Sequence, residues 1–408
     1  MMNLERVFQV TANEAGFKSK GGKFNLQLKY IIFSIAATLI FSYNYHFLWI
    51  VYDFVAIGLM AYFVWNKRSL GLGVPQWGLL FLTVCYFTLI SVASDEPFIG
   101  LLSTWDTFKH IPILLLLARI GLLVYNPEKI SFINGLYYLI FFSFIIQLIF
   151  AAYQVYSEVK FDDVAGTFGD GATHSLAYLS VLFISLVIIL NKRLWLISSS
   201  ILAVSWLNFN GENVGFFVLL PLAIIGIVIN RRLKVIHMVG TILLLPLILL
   251  ILEKPLYHNI PFSQVISSRI TGFISGDYRP NSPGRWAALT TGVEYGGWLG
   301  AGPGSYSNIY LMNGYKYDRE TDVSQINISE ASHLLAEAGI VGMALTMFLY
   351  QSLLWAYFKR WRNKVFALLY FSACFFYGSL LMTEPQIFML LLIMFIFKHN
   401  ELSGAKST

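Results

Sequence analysis

The sequence predicts an all-α polytopic membrane protein of about 12 transmembrane helices with one large periplasmic loop. Two observations predict it. Of 408 residues, 57% are hydrophobic and 12% charged, with a mean hydropathy of +0.65. A soluble domain carries about 25% charged residues, so this chain has roughly half the charge needed to coat a water-facing surface. The apolar residues also fall in blocks of about 16 to 25, bounded by charges or by Pro and Gly, which are lengths that cross a hydrocarbon core as helix. The short alternating segments of a β-barrel are absent from the pattern.

The blocks predict spans over 30–43, 47–65, 75–94, 110–125, 130–156, 174–190, 194–209, 212–230, 235–252, 332–358, 365–381 and 385–398. They divide the chain into an N-terminal membrane bundle (1–252), a large loop (253–331) and a C-terminal membrane region (332–408). The segment before Tyr30 is polar and basic, with Arg6, Lys18, Lys20, Lys23 and Lys29. It lacks the short apolar core and small-residue cleavage site of a signal peptide, so the first span is expected to remain as a signal anchor.

Basic residues set the orientation. With the N-terminus in the cytoplasm and alternating spans, Lys67/Arg68, Lys192/Arg193, Arg231/Arg232/Lys234, Lys359/Arg360/Arg362/Lys364 and both termini fall on the cytoplasmic side. The short outer connections other than 157–173 carry no Lys or Arg, and residues 253–331 become periplasmic. The net charge of +6 is then topological and gives no reason to expect a nucleic-acid partner. Cys85 and Cys374 fall within spans, which leaves no disulfide framework and no zinc spacing. There is no internal repeat, which counts against repeat-built transporter folds.

The 253–331 loop concentrates the candidate chemistry, and a loop this long in a compact protein is usually functional. Arg269, Arg279 and Arg285 lie within 17 residues of one another. Ser282 as N-cap and Pro283 at the first helical position predict a short helix through Arg285 and Trp286, lying on the bilayer surface. A cation in the first turn opposes the helix dipole, which makes sense beside a bound anion. Arginine also suits phosphate, which its planar fork can grip through two donors. In GWLGAGPGSYSN (297–308), Gly300, Gly302 and Gly304 allow either a plain turn or a cradle of backbone N–H groups for an oxyanion.

The loop returns to the membrane through QINISEASHLLAEAGIVGMAL (325–345). A helix from Ser329 sets Glu330, His333 and Glu337 on one stripe. A carboxylate in hydrocarbon costs several kcal/mol and normally faces a cavity or a partner. A His flanked by two carboxylates makes either a general base or a polar tie between helices. Weaker candidates are GTFGDGATH (166–174), with Asp162, Asp163, Asp170 and His174, and the acidic YDRETD run. Glu212 is expected to cap the eighth span. Lys109 and Asp106 are expected to pair at the outer end of the fourth.

The order of these features resembles the bacterial O-antigen polymerase and O-antigen ligase superfamily. The shared order is many spans, a large outer loop late in the chain, the SPGRW helix start (282–286), the GAGPGS turn (300–305) and the exit LLAEAGIVG (334–342). GTFGDGATHSLAYL (166–179) and NGENVGFFVLLPL (210–222) also look like this family. The resemblance covers most of the chain in architecture and about 60 residues, roughly 277–343, in sequence pattern.

What the resemblance implies is a GT-C-like fold and a metal-independent glycosyltransferase with no cofactor. The donor would be a polyprenyl-diphosphate-linked oligosaccharide, used at the outer face of the bacterial inner membrane. Family loop arginines hold the donor diphosphate; Arg285 matches that role best, with Arg269 and Arg279 beside it. Either Glu330 or His333 would deprotonate the acceptor hydroxyl, with Glu337 beneath them. Ligases and many relatives carry a His-Asn pair about eleven residues before the Gly that stands here at Gly339. This chain has Ile328 and Ser329 there, which favours the polymerase branch. A polymerase would join repeat units en bloc, with a chain-length regulator and a flippase as partners. A ligase would deliver the glycan to the lipid A core. A transporter of lipid-linked sugars is the reading from a different class.

Overall fold

The computed structural model describes residues 46–65, 72–123, 127–157, 159, 164–168, 172–190, 193–210, 214–231, 285–305, 329–378, 381 and 384–403. Among these every regular element is helical: α1 (His46–Trp65), α2 (Val74–Val92), α3 (Pro97–Phe108), α4 (Ile111–Leu123), α5 (Pro127–Tyr156), a 3₁₀ turn (Gly166–Phe168), α6 (Thr173–Ile189), α7 (Leu194–Asn210), α8 (Val214–Arg231), α9 (Arg285–Gly296), α10 (Glu330–Tyr357), α11 (Trp361–Tyr377) and α12 (Glu384–Ser403). Among the described residues, three stretches are long and apolar enough to cross a membrane: Val74–Val92, Ile133–Tyr156 and Glu330–Tyr357. The expected first and ninth spans, the Ser282 and Pro283 helix start, Arg269, Arg279, Glu212 and the acidic groups at 162–170 and 318–322 lie outside the described residues.

Most of the core is apolar side chains packed between helices. α6 and α12 run through its middle, with Leu176 to Val187 and Ile387 to Phe397 almost wholly buried. By contrast α2 presents Phe81, Leu82, Leu89 and Val92 outward. A helix hydrophobic all round belongs in a bundle core, and one that turns apolar side chains outward suits lipid. The fold therefore has the character of a helical membrane protein. The last two expected spans, 365–381 and 385–398, correspond to α11 and α12.

Three features go beyond the sequence reading. Residues 97–108 are not a connection but the helix α3, started by Pro97 at its first position. α3 folds back along α2: Ser91 Oγ and Thr104 Oγ1 are 2.9 Å apart, and the rings of Phe87 and Phe108 meet edge-on at 5.1 Å.

α9, the short helix expected in the loop, docks along the start of α10. Gly292 and Gly296 make this possible, because a Cβ on Gly292 would lie 2.6 Å from the Ser332 carbonyl oxygen and one on Gly296 would overlap the Leu335 carbonyl. Small residues four apart let two helix backbones approach closely.

The expected span at 332–358 is broken. Gly339 has φ 68° and ψ −174°, outside helical space, and divides α10 into 330–338 and 340–357. A break strands backbone groups that cannot be left bare in an apolar setting. The segment after α9 takes them up. The amides of Ile340 and Val341 donate to the carbonyls of Gly297 (3.1 Å) and Trp298 (3.2 Å), while the amides of Ala301 and Gly302 donate to the carbonyls of Ala336 (3.0 Å) and Glu337 (2.9 Å). Tyr86 of α2 adds its hydroxyl to the Ala338 carbonyl at 2.8 Å.

Candidate functional site

Buried ionisable groups gather where α10 begins. Glu330, His333 and Glu337 are 1%, 5% and 2% exposed, and Lys109 and His110 are 3% and 0%. Ser329 starts the helix by an N-cap whose side chain accepts from the Ser332 amide, with Ser332 returning a bond to the Ser329 amide. That reciprocal box satisfies two of the stranded donors at the helix start.

The stripe of three divides in two. His333 Nε2 lies 2.9 Å from Glu337 Oε1, a close contact off the line of a well-aligned hydrogen bond. Glu337 Oε2 accepts from the Gly304 amide at 2.8 Å and from Ser103 Oγ at 3.3 Å. Among the described residues neither His333 ring nitrogen has a hydrogen-bond partner. In the neutral ring with its proton on Nε2, beside the Glu337 carboxylate, Nδ1 carries the lone pair and is the atom that can accept a proton.

Glu330 instead faces the α11–α12 connection. Its carboxylate accepts from the Leu381 amide at 2.8 Å, and its own amide donates to the Gly378 carbonyl at 2.8 Å. The Leu381 carbonyl accepts from His110 Nε2 at 2.9 Å, and His110 Nδ1 shares a hydrogen bond with the Tyr52 hydroxyl at 2.6 Å. Because a carbonyl can only accept, the Leu381 contact sets a proton on His110 Nε2. Three residues from His110, the Thr107 carbonyl accepts from the Tyr350 hydroxyl at 2.8 Å. Glu330 and Tyr350 thus meet one group of residues, although a straight helix would hold them about 30 Å apart. The Gly339 break folds 330–338 back toward 340–357.

The expected Lys109–Asp106 pair is present at 2.6 Å, and Asp53 of α1 joins it at 3.3 Å. Trp105 Nε1 donates to Asp53 Oδ1 at 3.3 Å. A buried ammonium between two partly exposed carboxylates is compensated. His174 also belongs here, since its ring lies 5.6 Å from that of Tyr377, next to Gly378.

The glycine turn is not an open cradle. Gly300, Gly302 and Gly304 all have positive φ, at 88°, 106° and 84°. The Gly302 and Gly304 amides are directed at the Glu337 carbonyl and carboxylate, so the turn presents Glu337 to His333. The Ser305 hydroxyl closes back on the Gly302 carbonyl. Arg285 is the first residue of α9, one helix length before this turn.

Sequence reasoning placed Glu330, His333 and Glu337 correctly on one element, and it missed Ser103, His110, Tyr52 and Asp53. The signal for His110 was a Lys-His pair inside an apolar run; nothing in the sequence marked Ser103. No protein-family model matches the chain, and no curated protein matches it.

Proposed function

We propose that the chain is a bacterial inner-membrane glycosyltransferase of the O-antigen polymerase kind, with about twelve spans and cytoplasmic termini. It transfers a polyprenyl-diphosphate-linked oligosaccharide to an acceptor sugar of another lipid-linked repeat unit. The observation that carries this reading is the buried His333–Glu337 pair with its unpartnered Nδ1, on the element that directly follows the arginine-bearing loop. The donor is already activated, so the chemistry needs charge to offset the leaving diphosphate and one base for the acceptor hydroxyl. Arg269, Arg279 and Arg285 supply the charge, and His333 Nδ1 supplies the base. Glu337 orients the ring, and Glu330 acts as a structural acceptor for the Leu381 amide.

The test is His333→Ala in cells that make polymer. A base is expected to be indispensable: polymer is lost, single repeat units remain on the lipid A core, and protein level and melting temperature stay normal. Long chains from a stable His333→Ala protein would overturn the reading. Loss of both single units and polymer from the core would point to the ligase branch.

The break in α10 favours one other reading, since discontinuous helices mark transporter sites. In such sites the freed backbone lines the substrate cavity. Here Gly297, Trp298, Ala301 and Gly302 occupy it, which suits a fixed scaffold better.

A further inference from the structure

We infer that α3 and α4 are the two halves of one interrupted membrane crossing, and that the outer face of α3 is covered by lipid acyl chains. Neither half can cross alone: 12 and 13 residues give about 18 and 20 Å of helix against a core of about 30 Å. The joint between them is short. Lys109 keeps right-handed helical angles (φ −57°, ψ −17°), and its amide donates to the Trp105 carbonyl at 2.8 Å. Helical bonding resumes at once, with the Leu114 amide on the His110 carbonyl at 3.0 Å. Pro112 accounts for the gap, since it has no N–H to offer the carbonyl four residues earlier, that of Phe108.

The path of α3 goes inward from the end of α2. Gly100 lies against Ser91 and Ser94, Thr104 bonds Ser91, and Phe108 packs on Phe87. As the chain runs from 97 to 108, its partners move back from the last residues of α2 toward its middle. α2 is itself long and apolar enough to cross.

The polarity of α3 is inverted. Gly100, Ser103, Thr104 and Thr107 are buried, whereas Phe98, Leu101 and Leu102 are 72%, 41% and 38% exposed. The outward stripe has the i, i+3, i+4 spacing of a single helix face. A helix facing water turns its hydroxyls out and its leucines in. This one puts its hydroxyls on the protein, one of them on Glu337. On α2, against which α3 packs, Leu89 and Val92 are exposed as well. Between Glu96 and Asp106 the sequence carries no charge. Acyl chains therefore fit the outward stripe of α3.

Lys109 and His110 then lie at the gap within the crossing rather than at its outer end. That position explains why the ammonium meets two carboxylates and why both imidazole nitrogens are engaged. α3 becomes the partition between lipid and the buried Glu337.

The inference is tested in phospholipid nanodiscs by nitroxide labels on Leu101→Cys, Leu102→Cys and Asp95→Cys, each with Cys85 and Cys374 replaced by Ala. Labels at 101 and 102 are expected to collide with dissolved oxygen severalfold more than with a water-soluble nickel chelate, and the label at 95 to show the opposite. Preference for the chelate at 101 or 102 would make α3 a water-facing helix and overturn the inference. Shielding from both reagents would mean that protein covers the stripe, which also overturns it. A photoreactive phenylalanine analogue at Phe98 in the chain with both cysteines intact gives an independent reading. Adducts to phospholipid are expected; adducts to a second chain count against the inference.

Discussion

At Gly339 a single residue sets the direction of two half-helices. Its φ of 68° with ψ of −174° falls in a region that only glycine enters readily. A Cβ there would also stand 2.5 Å from the Gly300 amide nitrogen. Gly339→Ala is therefore expected to cost about 1–3 kcal/mol in backbone strain alone, seen as a lower melting temperature in detergent. Glu330 gives a second contrast. Its carboxylate accepts a backbone amide, so Glu330→Gln keeps an acceptor in place, while Glu330→Ala leaves the buried Leu381 N–H unsatisfied at a cost of about 1–3 kcal/mol. Glu330→Gln should thus retain polymer and normal abundance, and Glu330→Ala should lower abundance. Loss of polymer from an abundant Gln variant would return Glu330 to the base's role. None of this distinction was legible in sequence, because Leu381 lies 51 residues away. The stripe of Glu330, His333 and Glu337 was legible, since helical spacing alone sets those residues on one face. Gly339 was half legible: a glycine inside an apolar helical run signals a fault, but only the partners in 297–302 show that the fault is a full break.

For helices, the informative contrast is between neighbouring glycines at the end of α9. At Gly296 a Cβ would overlap the Leu335 carbonyl, whereas at Gly297 nothing lies within 4 Å and only the φ of 55° restricts the residue. Gly296→Ala should therefore push α9 away from α10 and make the 297–305 turn accessible to protease in detergent. Gly297→Asn should be nearly neutral, because asparagine tolerates left-handed angles. Equal damage from both would mean that contact with α10 is not what fixes α9. The sequence marked the existence of α9 through its start signals, yet its docking depends on α10 and was beyond local reading. α3 was missed for a related reason. PFIGLLSTWDTF mixes hydroxyls and an acid into a short stretch, which resembles a solvated connection until the hydroxyls are seen to face Ser91 and Glu337. α2 and α5 were legible because length and composition alone qualify them as crossings.

Across the whole molecule, the contacts bear on orientation. Tyr52 and Asp53 near the start of α1, the start of α6 at His174, the start of α10 at Glu330 and the α11–α12 connection at Gly378 all share one neighbourhood. Strict alternation of spans, read from the Lys and Arg pattern, assigns each of those points to the same side of the membrane. The start of α11 belongs at the opposite side, where Trp361 meets Trp355 edge-on at 5.0 Å and Lys364 stands 4.8 Å over the Trp355 ring. Tryptophan and cations together suit a membrane–water boundary. The side itself is the remaining quantity, and it decides whether a periplasmic donor could reach His333 at all. Single cysteines at Ser307 and Ser69, in a chain with Cys85 and Cys374 replaced by Ala, measure it directly in intact cells. A membrane-impermeant maleimide applied from outside is expected to label Ser307→Cys and leave Ser69→Cys untouched until the cells are lysed. The reverse pattern would invert the topology, set the arginine loop in the cytoplasm, and remove the acceptor chemistry from the side where lipid-linked repeats are joined. Labelling of both positions would mean that one crossing between them has been miscounted, and the interrupted pair α3–α4 would be the first place to look.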